Sequence, residues 1–222
     1  MPSESRKRWY LANREPMKMP IKYLTGFFLS MALVWSLITL QAEPSFYYSL
    51  LAKIGVLNDG HNLAQYANVT YCNKTVSVTA NHVVETIDKL RPTSKLLAAN
   101  REYDLAIYES LGSASPSPLA QFMPSPFDEV YIPTYVWMNG AVVVYRYLVI
   151  GYSPTEILPQ AIFFLGTSGS GVYNKDGEYL GPVLNMLNGI GPGGTGKQQA
   201  GIGGIGRTDK LIELFNKEIC DK

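Results

Sequence analysis

Twenty consecutive residues near the start of the chain carry no charge, and this run limits what the N-terminal part can fold into. The run, YLTGFFLSMALVWSLITLQA, occupies residues 23–42 between Lys22 and Glu43. As an α-helix it would be about 30 Å long, which matches the hydrocarbon core of a bilayer. Aromatic residues stand at its start and just beyond its end, as they do at membrane interfaces. The sequence therefore predicts a transmembrane signal anchor over residues 23–42.

The charges before this run predict its orientation. Residues 1–22 contain six basic and two acidic side chains, whereas the rest of the chain holds 13 basic and 16 acidic ones. Because basic flanks stay on the cytosolic side, residues 1–22 are expected to form a cytosolic basic tail. The C-terminal body of this single-pass protein would then lie on the far side of the membrane. The overall balance of 19 basic to 18 acidic residues predicts no nucleic-acid partner.

Two other interpretations of the uncharged run stay open. The first is a cleaved signal peptide that ends near Ala42, although Leu40 is a poor match for the small residue expected three positions before a cut. The second is a buried helix of a globular domain, although such a helix rarely runs for this length without a charge.

Beyond residue 43 the pattern changes to short runs rich in Val, Ile, Tyr and Thr, separated by Gly, Pro, Asn and Ser. Hairpin turns are expected at Asn139-Gly140 and at Asp176-Gly177. Many short strands with regular turns predict an all-β barrel or sandwich. Five runs are predicted strands: TVSVTA (75–80), LAIYES (105–110), VYIPTYVWM (130–138), AVVVYRYLVIGY (141–152) and AIFFLG (161–166).

A C-terminal helix and a linker complete the predicted organisation. Thr208 is the expected N-cap of the helix, and Ser- and Pro-rich residues 112–126 are the expected linker between two β units. Apolar residues follow Thr208 at helical spacing: Leu211, Ile212, Leu214, Phe215 and Ile219.

The small number of cysteines and histidines narrows the possible chemistry. Cys72 and Cys220 cannot form a zinc site alone, and the sequence leaves open whether they pair in a disulfide. No metal or cofactor is expected. His61 lies in the polar segment NDGHNLAQ and is expected in an exposed loop. His82 follows the strand-like run VSVTAN, where a strand end can hold a side chain at a cleft.

Three residues far apart in the sequence form a plausible acid–base–nucleophile set. Asp104 directly precedes an apolar run, so its carboxylate needs a partner such as a histidine N–H. Ser168 lies between Gly166 and Gly169, which allow a tight turn in which the N–H groups of Gly166 and Ser168 converge on an oxyanion. A serine hydroxyl needs a base, and His82 is the candidate. No histidine follows Ser168, which excludes the α/β-hydrolase order.

The segments around these residues resemble the three catalytic blocks of chymotrypsin-like serine proteases. The blocks are VTANHVV (78–84), YDLAIYE (103–109) and GTSGSGVYNKDGEYLG (166–181), and the likeness covers roughly residues 65–215. The histidine and serine blocks are most similar to the high-temperature-requirement branch, and the serine block is also similar to sobemovirus-like viral proteases, which process polyproteins.

The resemblance implies a fold and a set of roles. The fold would be a double β-barrel with barrel one at about 43–111, the linker at 112–126, and barrel two with the C-terminal helix at 127–222. His82 would be the general base, Asp104 the orienting acid and Ser168 the nucleophile, with the amides of Gly166 and Ser168 as the oxyanion hole.

The same resemblance implies a substrate pocket. Ile162 stands six positions before Ser168, and with Phe163 it would line an apolar pocket that does not select Lys or Arg.

The predicted function is a membrane-anchored serine endopeptidase that acts on polypeptides through an acyl-enzyme. One alternative is a catalytically inactive, membrane-tethered binding module with the same fold. A lesser alternative is a nucleotide-binding protein, because GPGGTGKQ (191–198) nearly matches a phosphate-binding loop. Gln198 replaces the hydroxyl residue of that motif, and the glycine-rich residues that follow do not favour the required helix.

Overall fold

β-strands are the main secondary structure of the described part of the chain, and the helices are short, so the prediction of an all-β body is confirmed. The computed structural model describes residues 44–137, 139–164, 166–186 and 200–221. The strands within these ranges are Gly55–Asn58 (β1), Leu63–Tyr71 (β2), Lys74–Ala80 (β3), Leu96–Asn100 (β4), Leu105–Tyr108 (β5), Ser117–Pro118 (β6), Glu129–Val136 (β7), Ala141–Tyr152 (β8), Glu156–Pro159 (β9), Ile162–Phe164 (β10), Gly171–Tyr173 (β11), Tyr179–Met186 (β12) and Ala200–Gly206 (β13).

Three predictions fall outside the described residues. They are the basic tail at 1–22, the membrane anchor at 23–42 and the phosphate-loop candidate at 191–198. Within the described ranges, none of the helices has both the length and the apolar character needed to cross a bilayer.

Both predicted hairpin turns are present. β7 and β8 pair in an antiparallel ladder that runs to Val136 opposite Ala141, and Gly140 in the turn has a φ of +68°. β11 and β12 pair with Tyr173 opposite Tyr179, and Gly177 between them has a φ of +77°. Glycine accepts this left-handed backbone without a Cβ clash, which is why the two dipeptides mark the turns.

The first sheet has the strand order β1-β2-β3-β5-β4, and β6 pairs with β2 in parallel. Its central strand β3 is buried on both faces. Val76 and Val78 lie in the apolar core, and the hydroxyl groups of Ser77 and Thr79 are satisfied by Asn68 Oδ1 and the Gln65 carbonyl. A strand covered on both sides tolerates these hydroxyls only because each has an acceptor.

The second sheet closes into a six-stranded barrel. Its order is β9-β8-β7-β11-β12-β13, and β13 pairs back onto β9, while β10 extends β13. The barrel interior is filled by apolar side chains that alternate with outward residues along the strands. Among the described residues, the ladders of the first sheet do not join into a ring, so hydrogen-bonded closure is observed for the second sheet.

Helices flank the two sheets. Thr208 is the first residue of the C-terminal helix, and Arg207 takes the N-cap position without a side-chain cap, so the predicted N-cap is wrong. The reason is that the buried Thr208 hydroxyl donates to the Leu180 carbonyl at 2.8 Å in the barrel instead. The helical segments are Pro44–Leu51 (α1), a 3-10 turn at Asn81–Val83, Val84–Leu90 (α2), Thr208–Phe215 (α3) and a π-helical turn at Asn216–Cys220.

The two cysteines pair, which the sequence left open. Cys72 lies in the turn between β2 and β3, and Cys220 lies at the end of the π-helical turn. The disulfide spans a sequence separation of 148 residues. It therefore ties the first sheet to the C-terminal helix.

The predicted linker at 112–126 is an ordered part of the body. Ser117 and Pro118 pair with β2, and the buried Leu119 bridges to Tyr179 of the second sheet. The segment crosses from one sheet to the other and packs against both.

Candidate active site

His82 and Asp104 meet at one end of two neighbouring strands in the first sheet. β3 and β5 pair with Ala80 opposite Leu105, and His82 follows the first of these strands while Asp104 directly precedes the second. The carboxylate oxygen Oδ2 lies 2.6 Å from Nδ1 of the imidazole, and Oδ1 accepts the backbone N–H of His82 at 2.8 Å. Both carboxylate oxygens thus hold the same residue.

This geometry sets the tautomer of the histidine. When Nδ1–H donates to the carboxylate, Nε2 is the unprotonated nitrogen that can accept a proton. The imidazole side chain is 37% exposed and the carboxylate 18%. The proton-accepting ring is therefore open to an incoming group, whereas its orienting partner is sheltered.

Asp104 holds an unusual backbone conformation. Its φ is +51°, in the left-handed region that non-glycine residues rarely adopt. The Asp104 carbonyl accepts the N–H of Asn81 at 2.9 Å, in addition to the two carboxylate contacts with His82. Strain of about 1–3 kcal/mol persists only where the surroundings fix it, and such positions cluster at functional sites.

Ser168 lies half-buried in a tight turn that is held at several points. Gly166 and Gly169 have φ values of +89° and +84°, and the N–H of Ser170 donates to the Thr167 carbonyl at 3.0 Å. The Gly169 N–H donates to the Val183 carbonyl of β12 at 2.8 Å. We call residues 166–170 the serine loop.

The serine loop packs against the strand that leads into His82. A Cβ atom on Gly169 would lie 2.1 Å from the Gln65 carbonyl oxygen and 2.4 Å from Thr79 Oγ1. Only glycine fits this close an approach. Thr79 is on β3, three residues before His82, so the first and second sheets meet here.

The predicted oxyanion donors are the amides of Gly166 and Ser168. Gly166 lies beside the side chains of Leu63 and Trp137, each 3.2 Å from the position a Cβ would take. Its carbonyl accepts a hydrogen bond from Gln65 Nε2 at 2.5 Å. The donor role of the two amides stays a prediction.

One of the two predicted pocket residues, Phe163, packs in the core of the second barrel. The Phe163 ring is 2% exposed and packs edge-on against Tyr147 inside the second barrel, with 6.1 Å between ring centroids. It therefore forms part of the apolar core of that barrel. For Ile162 the structure describes the backbone, which pairs with Ile202. The role of the two residues in a pocket stays a prediction.

His61 lies apart from these residues, in the exposed loop that the sequence predicts. Its backbone N–H donates to Asp59 Oδ1 at 2.8 Å. Hydrogen bonds from Asn62 and His61 lower the pKa of Asp59 to about 2.

Glu156 and Gln65 are two nearby residues that sequence reasoning missed. Burial raises the pKa of Glu156, and the negative charge of Asp104 raises it further, so a second carboxyl shares the surroundings of the pair. Gln65 is the one polar side chain among the alternate positions 63, 65, 67, 69 and 71 of β2. That break in an otherwise apolar set was the signal available in the sequence.

Comparison with known proteins gives structural likeness alone. No protein-family model matches the chain, and no curated protein sequence matches it. A serine endoprotease from Yersinia pestis superposes with a TM-score of 0.55 at 16% identity, covering 79% of this chain and 67% of that one. The MamO protease domain from Magnetospirillum magneticum superposes with a TM-score of 0.52 at 18% identity, covering 75% of this chain and 98% of that one.

The fold is that of the chymotrypsin-like serine proteases. Within this chymotrypsin-like fold, the first sheet carries His82 and Asp104, and the second carries Ser168. The resemblance that the sequence showed to the high-temperature-requirement branch is confirmed at the level of fold. The likeness to sobemovirus-like proteases stays a prediction.

Proposed function

We propose that this chain is a serine endopeptidase in which His82, Asp104 and Ser168 act together. The observation that carries the proposal is the 2.6 Å contact between Asp104 Oδ2 and His82 Nδ1. That contact lies at the end of the strand against which the serine loop packs. A histidine oriented by a carboxylate is the base that a serine hydroxyl in a glycine turn needs in order to act as a nucleophile.

The proposed reaction needs only side chains and backbone amides. His82 Nε2 accepts the proton of Ser168 Oγ as the oxygen attacks the carbonyl carbon of a peptide bond. The amides of Gly166 and Ser168 stabilise the negative oxygen of the tetrahedral intermediate. The imidazolium then gives its proton to the leaving amine, the C–N bond breaks, and an acyl-enzyme remains. Water, deprotonated by His82, releases the acyl group and restores the serine.

A fluorophosphonate probe tests this proposal, because it phosphonylates an activated serine. We expect the wild type to be labelled and Ser168→Ala to be unlabelled. Ser170→Ala is the matched control, since Ser170 is a buried serine two residues away whose hydroxyl contacts Thr134 Oγ1 at 3.3 Å. It should keep its labelling. A folded wild type that resists the probe would overturn the proposal and favour the inactive binding module.

We further propose that the body lies on the far side of a membrane to which residues 23–42 anchor it. The support is the uncharged run itself and the Cys72–Cys220 disulfide, since disulfides persist in oxidising compartments. In sealed vesicles from expressing cells, the full chain should stay in the carbonate-washed pellet. Added thiol reagents should find no reduced Cys72 or Cys220. Release of the full chain by carbonate would contradict the anchor.

A further inference from the structure

Gln65 is a buried amide that joins two strands and the serine loop. It lies on β2 and is 1% exposed. Its Nε2 donates to the carbonyl of Tyr135 at 3.1 Å and to the carbonyl of Gly166 at 2.5 Å, while its Oε1 accepts the N–H of Tyr135 at 3.0 Å. Both N–H bonds of the amide and its oxygen are therefore used.

The main chain of the same residue contacts the other end of the serine loop. The Gln65 carbonyl accepts the Thr79 hydroxyl at 2.8 Å, and it lies so close to Gly169 that a Cβ there would overlap it. Gln65 thus meets the loop at Gly166 through its side chain and at Gly169 through its backbone. Ser168 lies between these two points.

We propose that Gln65 is a positioning residue that holds the Gly166–Thr167 peptide, which links the two predicted oxyanion donors, in the conformation that aims both amides at the oxyanion. The inference rests on the proposed function. Gly166 has no Cβ and a φ of +89°, so the peptide planes on either side of it rotate at low cost unless something fixes them. The hydrogen bond from Gln65 Nε2 to the Gly166 carbonyl fixes the plane between Gly166 and Thr167, because a buried donor left without its acceptor is costly. That plane links the Gly166 amide to the Ser168 amide, so it sets how the two N–H groups are aimed relative to each other. Donors that are fixed in advance are what stabilise a developing oxyanion.

Asn68 shows what a buried amide does when it has no part in the site. It lies on the same strand and is nearly fully buried. Its Nδ2 donates to the carbonyls of Gly112 and Ala114 at 2.9 and 2.8 Å, and its Oδ1 accepts the Ser77 hydroxyl at 2.6 Å. Both amides satisfy three hydrogen bonds, but Asn68 holds the linker and Gln65 holds the serine loop.

This pair supplies a matched experiment in the full chain. Gln65→Met and Asn68→Leu each replace a buried amide by an apolar side chain of similar shape. For Gln65→Met we expect kcat on a peptide substrate to fall about 10- to 100-fold with KM changed less than about 3-fold, as for partial loss of one oxyanion donor. The rate of phosphonylation by the probe should fall by a similar factor. For Asn68→Leu, kcat should stay within about 3-fold of the wild type.

The pH profile of kcat/KM adds a check that separates positioning from damage to the His82–Asp104 pair. It should keep the same midpoint in Gln65→Met, because the variant leaves that pair untouched. Gln65→Glu is the second variant if Gln65→Met fails to fold. It keeps an acceptor for the Tyr135 N–H and loses the donor to Gly166, so it should lose kcat in the same way.

Two results would overturn the positioning role. One is an equal fall of kcat in Gln65→Met and Asn68→Leu, and the other is a rise in KM with kcat unchanged. If the wild type is not labelled at all, the proposed function fails and hydrogen exchange decides the role of Gln65. Amides 166–170 should then exchange at least about 10-fold faster in Gln65→Met than in Asn68→Leu, and equal rates would overturn it.

Discussion

The two sheets of this chymotrypsin-like fold solve the problem of burial in different ways. The closed second barrel completes its own ladders and fills its interior with apolar side chains such as Val130, Ile132 and Val149. The first sheet instead buries several polar side chains on β2 and β3, namely Gln65, Asn68, Ser77 and Thr79. Each of these is hydrogen-bonded, to a strand, the linker or the serine loop.

The difference indicates a division of labour. The second barrel carries the serine loop on an apolar core whose loss would lower stability, whereas polar side chains of the first sheet hold that loop in place.

The first prediction concerns the two residues that the proposed mechanism joins across the sheets. His82→Ala and Ser168→Ala should each lower kcat by about 10⁴- to 10⁶-fold, and the double variant should lose little more because the set acts as a unit. Steady-state kinetics on a peptide substrate measures this. Losses that multiply in the double variant would show that the two residues act independently.

The second prediction concerns the covalent tie between the first sheet and the C-terminal helix. Replacing both cysteines, Cys72→Ser with Cys220→Ser, should lower the free energy of unfolding by up to about 5 kcal/mol, since the disulfide closes a loop of 148 residues in sequence. Denaturant unfolding measures it. The wild type under reducing agent should match the double variant, and an unchanged midpoint in both would contradict the prediction.

The third prediction compares the replacement of one buried isoleucine in each sheet, Ile132→Ala and Ile107→Ala. Both residues are buried. Ile132 lies on β7 of the second barrel, and Ile107 lies on β5 of the first sheet, three residues after Asp104. Each change to Ala should cost about 2–5 kcal/mol of stability.

Activity should separate the two isoleucine variants. At a temperature where both are folded, probe labelling should slow in Ile107→Ala and stay near the wild-type rate in Ile132→Ala. Equal slowing in the two variants would argue against the division between the sheets.

The smallest effect is expected from Glu156, a half-buried carboxyl on β9 of the second sheet. The pKa of Glu156 is raised by burial and by the charge of Asp104. The ionised carboxylate therefore lowers the free energy of unfolding. The loss is complete at pH values above the raised pKa of the folded state, and it disappears at pH values below the pKa of the unfolded state. Because the side chain is partly open to solvent, Glu156→Gln should raise Tm by only about 1–2 °C at pH 8.

The pH dependence identifies the cause of this Glu156 effect. Thermal melts at pH 8 and pH 3 measure it, and the gain of Glu156→Gln should vanish at pH 3. A gain of the same size at both values would contradict the assignment, because a packing effect does not follow the ionisation.

The sequence by itself determined the elements whose causes are local. The strand at 141–152 has the predicted bounds, and the Asn139-Gly140 and Asp176-Gly177 turns are where the dipeptides indicate. Alternation of apolar residues and the left-handed tolerance of glycine act within a few residues, so a short window of sequence contains them. The three motif blocks also indicated the fold family, since each is a short continuous segment.

Short helices and helix caps were harder to predict from the sequence, because their local signals are weak or compete with tertiary contacts. The sequence did not predict α2 at Val84–Leu90, although Val84, Ile87 and Leu90 recur at a spacing of three. A segment of seven residues that includes β-branched side chains favours neither helix nor strand clearly. Thr208 was expected to cap a helix and instead bonds to the barrel. The tendency of threonine to cap a helix is overridden here because its hydroxyl donates to the buried Leu180 carbonyl, a contact that the sequence does not reveal.

What only the tertiary structure decided are the contacts between distant segments. Cys72 pairs with Cys220, and Gln65 reaches Gly166, although the separation of these residues along the chain gives no hint of contact. The burial of Phe163 likewise depends on packing that the sequence does not show. These contacts arise where the two sheets, the serine loop and the C-terminal helical segment pack against one another. Register and closure depend on the whole set of strand pairings, so no local pattern encodes them.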